Sequence, residues 1–128
     1  MRDETRKWVE YANENLYSAK ILLESKLFNP CLQNVQQAIE KILKAMLVES
    51  DVKFLKTHSI TELVGLLAKA GVSISITPDS CELLDSIYLP SKYPFGGVLP
   101  DFEPDEDTCR GCIAIVEQVF ESVEKNML

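Results

Sequence analysis

The chain has 128 residues, 46% of them hydrophobic and 26% charged, with 20 acidic against 13 basic side chains and a net charge of -7. That length holds one core and one domain, residues 1–128, and the acidic balance argues against broad nucleic-acid binding, because a negative surface repels phosphate backbones. No apolar stretch approaches the roughly 20 residues of a membrane helix, and the charged opening "MRDETRKWVEY" lacks the apolar core and cleavage site of a secretory signal, which makes the cytoplasm the expected compartment.

Taken in order, the first element is "ETRKWVEYANENLYSAKILLESK", where Trp8, Ala12, Leu16, Ala19 and Leu23 recur at steps of three and four. That spacing stacks them on one face of a helix. In "FNPCL", Asn29 reads as an N-cap and Pro30 as the first helical residue, where a missing N–H costs nothing. Leu32, Val35, Ile39, Ile42 and Met46 then form a three-four stripe, which predicts a second helix packed antiparallel on the first.

"THSITELVGLLAKAG" carries Ser59 and Glu62 in a capping-box pattern and ends on Gly71, which predicts a short third helix. The alternating "VSISITPDS" reads as a loop, since one strand without a partner is not stable. Thr77 and Pro78 open a fourth helix expected to end near Pro90, and a last helix is expected to begin between Pro104 and Thr108. Its apolar set, Cys112, Ile113, Val116, Val119, Phe120, Val123 and Met127, is wide enough for more than one neighbour. The sum is an all-α, up-and-down bundle of about five helices.

The break from Tyr88 to Cys109 holds four of the six prolines. Gly96 and Gly97 suit a reversal, and Tyr93, Phe95 and Phe102 are expected to cover the end of the bundle or a dimer surface. Cys109 and Cys112 share the helical spacing of Val116 and Val119, so they read as small buried residues rather than a redox pair. Cys31 and Cys81 stand alone, a pattern unlike paired zinc ligands, and no metal or cofactor is expected.

Three stretches at consistent spacing carry a resemblance. They are "WVEYANENLYSAKILL", "CLQNVQQAIEKILKAML" and "KTHSITELVGLL", followed by "YLPSKYP". The chain resembles the HEPN domain family over almost its whole length. The resemblance implies a helical bundle, a homodimer, nucleotide binding, and pairing with a minimal nucleotidyltransferase in a toxin-antitoxin-type system.

Many relatives are ribonucleases that use an Arg followed several residues later by His. Here the only histidine is His58, and none of Arg2, Arg6 and Arg110 shortly precedes it; Lys92 stands where many relatives carry arginine before "YP". The catalytic pairing is therefore not present, and the expectation leans to a binding module rather than an enzyme. Its candidate nucleotide-binding residues are Lys41, Lys44, His58, Lys92 and Tyr93, with Lys56 nearby in the same basic set.

The competing readings are a solvated helix face with Lys44 paired to Glu40, and a His58 that only shapes its turn. The function alternatives are a divergent ribonuclease using Lys92, Tyr93 and His58, or a structural subunit. Residues 79–128 carry three basic and eleven acidic side chains, and a basic protein partner would suit them.

Overall fold

Five helices form in the computed structural model, which describes residues 1–54, 56–92 and 103–127, with side chains for all of these except 89–92. They are α1 (Asp3–Glu24), α2 (Phe28–Glu49), α3 (Ile60–Lys69), α4 (Pro78–Lys92) and α5 (Glu106–Met127), with no strand among the described residues. Residues 93–102, with Tyr93, Phe95, Gly96, Gly97 and Phe102, lie outside the described residues.

The bundle is organised around α2, which packs against each of the other four helices. Its predicted stripe of Leu32, Val35, Ile39, Ile42 and Met46 is buried, and so are Ala38, Leu43, Ala45 and Leu47 on its other sides. Each fully buried Leu or Ile contributes about 1.5–3 kcal/mol relative to exposure. Apolar burial on all sides marks a central helix rather than one half of an isolated hairpin. On α5, Cys109, Cys112, Ile113, Val116, Val119, Phe120 and Val123 are buried, divided between contacts with α2 and α1.

The first three helices end in the same way. After α1, Leu27 N–H donates to the Leu22 carbonyl and Lys26 N–H to Leu23; Val52 and Asp51 repeat this on Leu47 and Val48, and Val72 and Gly71 repeat it on Leu67 and Ala68. This is the Schellman arrangement, which needs a left-handed residue after the cap. Gly71 fills that place at φ +83°, as its position in the sequence predicts, but Lys26 and Asp51 fill it at +58° and +55°.

That turn also moves the start of α2. The N-cap is Leu27, not Asn29, and the helix begins at Phe28, so Pro30 is its third residue. The first-turn N–H groups have no intrahelical partner in any case, so Pro30 is tolerated there as it would be at the first position.

Ser59 caps α3 as expected, accepting from the Glu62 N–H at 3.2 Å. The return half of the capping box is replaced: the Glu62 carboxylate accepts from the Thr57 hydroxyl, whose oxygen accepts from the Ser59 N–H. At the head of α4, the Thr77 hydroxyl accepts from Ser80 N–H at 3.1 Å. The helix ends at Lys92, two residues past Pro90 and near the expected end. For α5, the Asp105 carboxylate accepts from the Thr108 N–H at 2.7 Å. That hydrogen bond holds the Asp105 carboxyl below its usual range and places the start inside the predicted interval.

Candidate functional site

Glu40 and Lys44 occupy successive turns of α2, and the central position of that helix buries both side chains. A buried carboxylate needs a cation and hydrogen bonds to remain charged. Lys44 Nζ supplies the first at 2.6 Å from Glu40 Oε1.

His58 supplies the second. Its Nδ1 lies 3.0 and 3.1 Å from the two Glu40 oxygens. A carboxylate paired to an ammonium can only accept, so Nδ1 carries the proton and donates. Nε2 has no hydrogen-bond partner among the described residues, on a side chain 43% exposed.

Several neighbours fix this geometry. The Tyr88 ring of α4 stacks on His58 at 4.8 Å between centroids and 19° between planes. Gln36, buried on α2, donates through Nε2 to the His58 carbonyl at 3.4 Å, while its Oε1 has no partner among the described residues. One residue on, the turn is tied to α4: Asp85 accepts from Ile60 N–H at 2.6 Å, Thr61 Oγ1 at 2.6 Å, and Ser59 Oγ and Thr61 N–H at 3.2 Å. The imidazole is thus held at its ring nitrogen, at its face and through its backbone, the kind of support that preorganises a binding group.

The residues grouped by the sequence divide in the structure. Lys44 is the ion-paired lysine of the competing reading, and its ammonium also lies near the Trp8 and Phe54 rings at 5.9 and 6.0 Å. Lys41 joins neither Glu40 nor His58; it donates to Asn15 Oδ1 at 2.8 Å and sits 5.8 Å from the Tyr11 ring. Lys56 is exposed in the loop before His58. Lys92 closes α4, its side chain outside the description, and Tyr93 lies outside the described residues.

Tyr88 is a site residue the sequence did not single out, and Glu40 was named only as the partner of Lys44 in the competing reading. Glu40 had a signal, since an acid among the buried positions of a helical stripe requires a partner. Tyr88 had none before α4 was placed. Among the described residues no group of three or more His, Cys, Asp or Glu is placed to hold a metal. A recess of about 400 Å³ between α1 and α5 lies elsewhere, and Lys20 and Glu117 in its wall are paired at 2.9 Å.

The bundle and its chain order find their counterpart in a known family: the sequence profile of the HEPN domain matches residues 5–126, and the chain belongs to the HEPN domain family. Its fold is that of TT1696 from Thermus thermophilus, with a TM-score of 0.78, 23% identity, and 97% of this chain and 98% of that one covered. It is also that of ST0689, an archaeal HEPN homologue, with a TM-score of 0.73, 21% identity and full coverage of both chains. No curated protein matches. No helix among the described residues is long and apolar enough to cross a membrane.

Proposed function

We propose that this HEPN-domain chain is a homodimeric binding module that takes the phosphate of a nucleotide at His58 and pairs with a minimal nucleotidyltransferase in a toxin-antitoxin-type system. The observation that carries the nucleotide reading is the Glu40–His58 contact at 3.0 Å. It orients the imidazole with Nε2 exposed, and as an imidazolium the ring would donate to a phosphate oxygen from that nitrogen. Lys44 does not serve as a phosphate ligand in this reading, because its charge is taken by Glu40.

Calorimetric titration with ATP and GTP tests it, with His58→Ala as the control. The expected result is binding that the substitution weakens at least tenfold. Absence of heat at millimolar ligand, or binding that His58→Ala leaves unchanged, rejects the site. Gel filtration with light scattering tests the dimer, and a monomer at micromolar concentration overturns that part. Co-purification with a nucleotidyltransferase from the same genome tests the partner.

The same contact favours a second reading, because a carboxylate that fixes one imidazole nitrogen leaves the other as a general base. In that reading the chain is a divergent ribonuclease. RNA cleavage by purified protein that His58→Ala abolishes would establish it; intact RNA after prolonged incubation would dismiss it.

A further inference from the structure

At the end of the bundle that holds Met1 and Met127, a recess of about 320 Å³ is lined by Met1, Val9, Ile42, Val123, Glu124 and Met127. Val9 comes from α1, Ile42 from α2, and Val123 and Met127 from α5, so three packed helices enclose it. Its floor reaches the core, because Ile42 is 1% and Val123 0% exposed, while Val9 and Met127 are half-buried and Met1 and Glu124 lie exposed at the mouth.

Interiors pack with few voids larger than a water molecule, and no side chain among the described residues fills this one. The volume falls at the small end of ligand sites, which begin at roughly 300 Å³. It suits a single large apolar side chain inserted as an anchor. Methionines at the mouth adapt readily to the shape of such an anchor.

Among the described residues, Glu124 is the only charged side chain in the lining, and it has no ion pair. Glu121 stands three positions earlier on the same face of α5, is exposed and is likewise without an ion pair among them. The Met1 ammonium is answered by Glu49 at 3.8 Å. Lys125 stands about 100° further round the helix and does not line the recess. The α5 side of the mouth is therefore negative. A small apolar molecule would fill the recess and leave Glu121 unanswered, whereas a polypeptide can seat an apolar anchor and set basic residues over both carboxylates.

We propose that this recess docks a basic segment of a partner protein, with one large apolar side chain against Ile42 and Val123 and lysines or arginines facing Glu121 and Glu124. No lining residue belongs to the His58 site, so the inference stands apart from the nucleotide reading. A phage-displayed library of random short peptides is panned on the full chain, and an enriched peptide is synthesised for fluorescence anisotropy.

The expected enrichment is for one large apolar residue flanked by basic ones, with binding that weakens as salt rises. Val9→Phe, which fills the recess, and Glu124→Lys, which reverses the charge at its mouth, should each weaken the synthetic peptide at least tenfold. Circular dichroism checks both folds, and the exposed Glu124 keeps the test decisive should Val9→Phe fail to fold. No enrichment, or a peptide that binds both variants as it binds the parent, overturns the proposal. Enriched peptides that are apolar without basic residues overturn the basic partner. A parent oligomer in light scattering that Val9→Phe dissociates assigns the recess to a second copy of the chain and overturns it as well.

Discussion

Lys44 Nζ lies 2.6 Å from Glu40 Oε1, with the side chains 8% and 6% exposed. Two charges withdrawn from water this far are stable only together, because the attraction between them offsets a desolvation cost of several kcal/mol per ion. Lys44→Met strands the Glu40 charge and is expected to cost about 3–5 kcal/mol. Adding Glu40→Gln removes the stranded charge, so the double variant should be the more stable of the two. Urea denaturation of the two variants and the parent measures this, and a double variant no more stable than Lys44→Met contradicts it.

Asp85 reaches from α4 to bond four donors at the head of α3, two of them backbone N–H groups. Charge-assisted bonds at a helix start are among the stronger local interactions. Asp85→Ala is expected to cost about 1–3 kcal/mol. It should also loosen the His58 turn, seen as faster amide exchange at Ser59–Glu62 than in the rest of α3. Uniform exchange along α3 would contradict the second effect.

Lys26 occupies a left-handed backbone conformation at φ +58°. A residue with a Cβ is strained there by about 1–2 kcal/mol, and glycine escapes the strain but loses more chain entropy on folding. The net expectation for Lys26→Gly is a stabilisation of about 0.5–1 kcal/mol, read as a raised denaturation midpoint. Asp51→Gly should gain less, since Asp51 also accepts from Arg2 at 3.3 Å. A destabilised Lys26→Gly variant would sink this account.

All four thiols are buried and free. Burial pushes Cys109 from 9.0 up to about 12, reinforced by Cys31 beside it, and Cys112 up to about 11. Because the folded state holds these thiols neutral, their contribution to stability is fully present below 9.0 and is lost as pH rises from there towards 12. Denaturation midpoints should therefore fall above pH 9 more steeply in the parent than in Cys109→Ala. A thiol reagent at about pH 8 should label the native protein far more slowly than the unfolded one. Rapid labelling of folded protein would contradict the burial.

Much of the fold was legible as periodicity. The steps that align Ala12, Leu16, Ala19 and Leu23, or Val116, Val119 and Val123, are set by the helix repeat alone, and all seven are buried. Helix ends were less legible. Gly71 announced itself, but Lys26 and Asp51 perform the same turn without a sequence signal, since their left-handed geometry is imposed by hydrogen bonds back to carbonyls of the preceding helix. Pro90 marked the end of α4 to within two residues, since the helix closes at Lys92.

What the sequence determined by itself is the set of faces, the Ser59 cap that starts α3, and the resemblance that the HEPN profile then established. What only the tertiary structure decided is the partnership of the polar residues. Lys41 and Lys44 are three apart and look equivalent along α2, but one donates to Asn15 on α1 while the other is buried against Glu40. His58 gains Tyr88 from thirty positions away. The reason is physical: apolar burial follows a short repeat written along one helix, whereas a hydrogen bond or ring stack depends on where several packed helices bring single atoms together.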